Sequence, residues 1–328
     1  MSRRRPSPRP TAPAAPPRPR RRSLVIGAAL LLLGLLGALV ALRSPASVPA
    51  TPTARSATTG CQGVPQFAPR QGFTGGVIID TSLPDRMGLV LRDPAQPGRG
   101  FQHPTWDDAG NLGPFAVDPE GNIYLAPTPK INLAENPVAG ATTIWRVDTT
   151  SAVLTPWLVL PAAAPPSARN PFGILGLAYD CATRTLYAAS VAGSGPTSEV
   201  GRLVQIDVGR RTVISQRDGI DALGLVVADT PEGRRLFYGS ARTPRVLSLA
   251  LDAGGACVGA PRPELDLTTL GGNTTERARR LDLRADRLDV TVVPFAFTLA
   301  PTAPRHLFAR YDRAAQAWVR ADPPTATP

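Results

Sequence analysis

Lysine is nearly absent from this 328-residue chain: Lys130 is the only one, against 35 arginines. Histidine is scarcer than chance would give, with only His103 and His306, and neither has a second histidine or a cysteine at metal-ligand spacing. That excludes a zinc or other transition-metal centre built from the usual nitrogen and sulfur donors. No Gly-x-x-x-x-Gly-Lys run exists, so stretches such as Ala192-Gly193-Ser194-Gly195 read as loops and not as phosphate cradles. No serine sits in a Gly-x-Ser-x-Gly elbow, which leaves Ser/His/Asp catalysis without local support.

Acidic residues are missing from the first 43 positions, where nine arginines lie: Arg3, Arg4, Arg5, Arg9, Arg18, Arg20, Arg21, Arg22 and Arg43. Of the formal charge of +11, nine units therefore belong to this segment and the remainder carries +2. The basic character describes a tail, and no nucleic-acid partner is expected. Residues 1–22 are rich in Pro and Arg with little to bury, the composition of a disordered cytoplasmic tail.

Long apolar runs are also rare, and the exception is residues 24–42, which hold 19 residues without a charge. A bilayer-crossing helix needs ~20 such residues, whereas a cleaved signal usually has ~7 to 15. A signal anchor over 23–42 is expected. The excess of arginine before it places the N-terminus in the cytoplasm and the remainder outside. Secretion or release into a periplasm is the alternative, through a small-residue site at Val48-Pro49-Ala50 or a twin-arginine signal at Arg21-Arg22-Ser23-Leu24-Val25. Residues 43–60, rich in Pro, Ser, Thr and Ala, read as a flexible linker. The folded domain is expected over 61–320, with a short tail at 321–328.

Within that domain two kinds of hairpin alternate. The first has apolar strands separated by an aspartate and a polar turn, as in residues 175–190, 114–126 and 224–239, with a fainter copy at 280–293. Such strands are buried on both faces. The second alternates apolar and polar residues before an aspartate, giving Asp148, Asp207, Asp252 and Asp312 at successive spacings of 59, 45 and 60 residues. Residues 76–91 belong with this second kind. An inner buried pair followed by an outer, half-exposed pair makes a four-stranded sheet, and its repetition predicts an all-β propeller. Five blades can be counted; a sixth would have to come from residues 62–75 and 92–113.

The segments Ala116-Val117-Asp118-Pro119-Glu120-Gly121-Asn122-Ile123-Tyr124 and Leu177-Ala178-Tyr179-Asp180, with Leu186-Tyr187, resemble the six-bladed propellers that include NHL-repeat proteins and the gluconolactonase and senescence-marker-protein lactonases. The resemblance implies six blades. In the lactonases an Asn before the inner strand and an Asp after its partner hold a divalent cation. The matching places here hold Leu112, Leu175 and Leu223, then Pro127, Ser190 and Ser240. Three leucines supply no oxygen to a hard cation. No cofactor is therefore expected; the alternative is a divalent cation such as calcium, for which Asp107, Asp108 and Asp221 are the available donors.

Cys61, Cys181 and Cys257 would lie in an oxidising compartment, where disulfides persist. Cys181 and Cys257 fall in tight turns on one face and Cys61 could reach either; Cys61–Cys181 is the expected pair. Turns within each hairpin are short, while the connections 127–143, 160–174, 190–202, 240–245 and 266–279 are long and share the opposite rim. Binding residues concentrate on such loops. The candidates are Lys130, Asn132, Asn170, Ser190, Ser240, Arg242, Arg279 and Arg280, with His103, Trp106 and Asp107 from an early loop. Together they form a cationic, amide-rich mouth suited to a small anionic or polyhydroxyl ligand, or to a protein partner. The expectation is a binding module; the alternative is a hydrolase or lactonase with an atypical metal site.

Overall fold

The computed structural model describes residues 61–323 except 84–85, 97, 131–137 and 302. The tail, anchor and linker expectations for residues 1–60 fall outside this range, as do residues 324–328. Among the described residues no helix is long and apolar enough to cross a membrane.

The described chain folds into five antiparallel sheets in a propeller arrangement, each built from strands consecutive in sequence. The first sheet has three strands, β1 (Ile78–Asp80), β2 (Val90–Arg92) and β3 (Gly100–Phe101). The other four have four: β4 (Leu112–Val117), β5 (Ile123–Pro127), β6 (Thr143–Val147) and β7 (Leu154–Val159); β8 (Ile174–Asp180), β9 (Thr185–Ser190), β10 (Arg202–Asp207) and β11 (Thr212–Asp218); β12 (Ala222–Thr230), β13 (Gly233–Ser240), β14 (Arg245–Leu251) and β15 (Cys257–Asp266); and β16 (Glu276–Arg284), β17 (Arg287–Pro294), β18 (Arg305–Asp312) and β19 (Ala317–Arg320).

The aspartates that recur in the sequence close the turns. Asp180 accepts the Ala182 backbone N–H and the Thr183 hydroxyl. Asp148, Asp207, Asp252 and Asp312 do the same for the outer hairpins, taking backbone donors two to four residues on. Burial follows position in the sheet. β8 and β9 are buried throughout, and β11 at the periphery alternates exposed and half-buried residues.

The inner strands follow one another around the axis, and their contact is close enough to demand glycine. A Cβ on Gly176 of β8 would lie 2.1 Å from the Leu223 carbonyl oxygen of β12, and one on Gly224 would lie 2.7 Å from the Arg279 carbonyl oxygen of β16. Four apolar clusters then bind neighbours pairwise. They join the first sheet to the second, the second to the third, the third to the fourth and the fourth to the fifth. No apolar cluster of the described residues joins the fifth sheet to the first.

The first sheet is incomplete on its inner side. The β1–β2 connection lies beside the start of β4, with the Thr81 hydroxyl donating to the Gly113 carbonyl and the Gly88 N–H to the Gly110 carbonyl. That is the side on which second-to-third connections emerge elsewhere. β1, β2 and β3 therefore occupy the second, third and fourth places, and no strand of the described residues fills the innermost one. Residues 62–75 and 92–113 supply β3, two 3₁₀ turns and packing rather than a sixth sheet.

Residues 61–73 cross the face of the short turns. Cys61 is joined to Cys181 with Cα atoms 6.0 Å apart, the Gly63 N–H donates to the Asp118 carbonyl, and the Phe67 N–H donates to the Thr149 carbonyl. Phe67 and Phe73 then enter the core between the first two sheets.

Candidate functional site

Each inner strand carries a β-bulge near its long-connection end. The register shifts between Leu112 and Phe115, Ile174 and Gly176, Ala222 and Leu225, and Ala278 and Arg280. Matching the pairings that follow, Phe115, Leu177, Leu225 and Leu281 are equivalent. One residue earlier stand Pro114, Gly176, Gly224 and Arg280; two earlier stand Gly113, Leu175, Leu223 and Arg279. An axial position that is small or apolar in three sheets is thus arginine in the fifth. This alignment also replaces the sequence-level placement of Leu112, which precedes Gly113 by one.

The Arg279 guanidinium reaches across the ring. Its Nη1 donates to the Leu175 carbonyl at 2.5 Å and its Nη2 to the Thr128 hydroxyl at 3.2 Å. Among the described residues it has no ion pair. Burial, with Arg280 beside it, pushes the Arg279 guanidinium down to about 10. Arg280 lies over the Phe115 ring, 4.7 Å from its centroid, where the missing inner strand would otherwise stand. Burial pushes it down too, with Asp282, Asp80 and Asp289 pulling the other way.

The mouth beside Arg279 is closed on the side of the third and fourth sheets by an apolar plug of Phe172, Leu175, Val191, Leu223, Ala241 and Phe297, against which Phe295 and Leu299 pack. Phe297 adopts φ 61°, a left-handed conformation costly for an aromatic residue. The Arg242 guanidinium holds it from outside, 4.7 Å from the ring centroid. Arg242 pairs in turn with the buried Asp221 carboxylate at 2.5 Å and donates to the Gly195 and Pro196 carbonyls. Burial pushes the Asp221 carboxyl up, against the opposing pull of Ser194 and Arg242.

Several predicted residues meet at this rim, with their polar atoms engaged by the protein. The Asn170 amide donates to the Val191 and Ser194 carbonyls, both at 2.8 Å, and its oxygen accepts the Phe172 N–H. The Ser190 hydroxyl accepts the Ala192 N–H, and the Ser240 hydroxyl accepts those of Arg242 and Thr243. The Lys130 ammonium donates to the Leu83 carbonyl, on the side of the first sheet. Asn132 lies outside the described residues.

His103, Trp106 and Asp107 are not brought to this rim. The Trp106 indole donates to the Ala152 carbonyl at 2.7 Å and the Thr105 hydroxyl accepts the Leu154 N–H, which ties the segment to the short turn between β6 and β7. His103 caps this 3₁₀ turn, Trp106 is fully buried and Asp107 is exposed. Thr128, Phe115 and the Phe295–Phe297 plug were not singled out from sequence. The alignment of Ala278-Arg279-Arg280 with Ile174-Leu175-Gly176 was the signal that leads to the first two. Among the described residues no group of three or more His, Cys, Asp or Glu gathers as a metal site.

No family model matches the chain, and no curated protein matches it. Solved structures similar to it include regucalcin, a calcium-binding protein from Agrobacterium tumefaciens, at 15% identity and TM-score 0.43, covering 79% of this chain and 73% of that one. A luciferin-regenerating enzyme is 13% identical with TM-score 0.40, covering 71% and 72%. The endo-arabinase from Bacteroides thetaiotaomicron is also 13% identical with TM-score 0.40, covering 67% and 81%. Likeness at this level says nothing of activity.

Proposed function

We propose that the chain is a membrane-tethered, extracytoplasmic recognition module that binds a small anionic or polyhydroxyl ligand at the long-connection end of its axis, without covalent chemistry. The observation that carries this reading is Arg279, a cation held among the inner strands with hydrogen bonds to a carbonyl and a hydroxyl and, among the described residues, no carboxylate partner. A charge in such surroundings is costly unless something neutralises it. Arg280 adds to the positive field, and Thr128 offers a hydroxyl beside it.

The ligand reading is tested by thermal unfolding of the full chain against a panel of sugar acids and neutral sugars, using the wild type and Arg279→Leu. One or more anions should raise the wild-type midpoint and leave the variant unmoved; an anion-induced rise that survives in the variant refutes Arg279 as anchor. The tether is tested by fractionation, in which the full chain should remain with membranes after alkaline washing.

A further inference from the structure

Among the described residues, one face of the fifth sheet is covered by no other sheet through apolar packing. One face, made by Leu281, Val290 and Leu307 with Leu288 and Ala309, packs on the fourth sheet. The opposite face forms three rows across β16, β17 and β18. Directly paired positions give Arg280, Thr291 and His306 in the first row; Asp282, Asp289 and Phe308 in the second; and Arg284, Arg287 and Arg310 in the third. The second row sets two aspartates side by side and the third sets three arginines together. Directly opposed like charges are destabilising, by up to ~1 kcal/mol a pair. Four arginines against two aspartates leave the face positive.

The pairing within the face is partial. Arg284 pairs with Asp282 at 2.9 Å and His306 with Asp289 at 2.8 Å. Among the described residues Arg287 and Arg310 have no ion pair, and they line a cavity of about 530 Å³ together with Arg320 and Asp322. The His306 and Phe308 rings stack beside this row, centroids 6.1 Å apart and planes 17° from parallel, and both are half-buried.

We propose that this face is a second binding site, and that it takes a short stretch of an acidic oligosaccharide carrying uronate carboxylates. The guanidiniums of Arg287 and Arg310, neither in an ion pair among the described residues and the former also donating to the Asp322 carbonyl at 2.7 Å, match carboxylates in charge and fork geometry. The half-buried His306 and Phe308 rings offer aromatic surface to the apolar face of a sugar ring. From the Arg280 row to the Arg310 row is four residues of strand, about 14 Å. That span exceeds one sugar unit and favours an extended ligand. An acidic peptide is the poorer fit, because its carboxylates hang on flexible side chains that must be ordered on binding and it brings no rigid ring face to the aromatic pair. Arg280 stands between this site and the axial one, whereas Arg287, Arg310 and Phe308 belong to this site alone.

The test is a calorimetric titration of the full chain in detergent micelles with tetragalacturonate, maltotetraose and hexaglutamate. Tetragalacturonate alone should bind. The double variant Arg287→Ala/Arg310→Ala should weaken it about tenfold or more, the value of losing a charge-assisted contact. Phe308→Ala should weaken it while leaving the salt dependence unchanged, and Arg279→Leu should leave it unaltered. Unfolding midpoints of the double variant should hold or rise, since an opposed like-charge pair is removed. Absence of tetragalacturonate binding, equal binding of hexaglutamate or maltotetraose, or affinity unchanged in the double variant would overturn the proposal.

Discussion

Arg234 of the fourth sheet grips Asp180 of the third: its Nη2 lies 2.8 Å and 2.9 Å from the two carboxylate oxygens. The Asp180 side chain is 3% exposed and that of Arg234 is 18%. The same carboxylate closes its own turn through Ala182 and Thr183, so one residue serves the hairpin and the joint between sheets. Replacing Asp180 by Ala leaves the guanidinium half-buried without a counter-charge. The expected loss is about 3 kcal/mol in urea unfolding. Asp180→Asn, which keeps an acceptor for the turn, should lose less; equal losses would mean that the turn acceptor adds nothing beyond the ion pair.

The Cys61–Cys181 bond closes a sequence separation of 120 residues. On the chain-entropy account a loop of that size contributes about 4 to 5 kcal/mol, and real bridges commonly give 2 to 4. Cys61→Ser should lower the urea midpoint accordingly, and reductant should lower the wild type to the same value. Burial pushes the remaining thiol, Cys257, up to about 11. Thiol reagents at pH 8 should therefore label the native oxidised protein slowly and the unfolded one rapidly. Fast labelling of the native form would contradict this pairing.

Arg279→Leu installs the residue found at the equivalent place in β8 and β12. Removing a half-buried charge without an ion-pair partner among the described residues should leave the unfolding free energy unchanged or raise it by up to about 2 kcal/mol, while ligand-induced stabilisation disappears. A loss above about 1 kcal/mol would show that the guanidinium supports the ring through Leu175 and Thr128.

His306 is held up by its hydrogen bond with Asp289, against the opposing effects of burial and of Arg280. A histidine whose folded value is raised contributes its stabilisation fully below the unfolded value of 6.5 and loses it as pH climbs through the raised folded value. Stability of the wild type should therefore fall above pH 6.5 relative to His306→Gln. For a partly exposed pair the difference is at most about 1 kcal/mol. Parallel pH profiles of the two proteins would rule out the linkage.

The hairpins were legible because a strand buried on both faces must be apolar throughout, as in β8, and because an aspartate closes most of the turns by local hydrogen bonds. The fifth sheet was harder to read for a physical reason. Its inner strand runs Arg280-Leu281-Asp282-Leu283-Arg284, alternating because only one side is covered, and it therefore stood out as a fainter copy of the others. The incomplete first sheet had no local signal, since a strand's place is set by which connection emerges beside β4. The rim candidates divided similarly. Asn170 and Ser240 stand on or beside long connections, and their polar atoms serve the loops themselves. Trp106 shows the opposite failure, because a long connection does not reveal which end of the sheet it returns to.

A washer cut through at one point bends more easily than a whole one. The second, third and fourth sheets are each gripped on two sides, whereas the first and fifth are each gripped by oil-like contact on one side only. Amide protons of β2 and β17 should consequently trade with solvent sooner than those of β9, and slow breathing of the molecule should widen and narrow the cut.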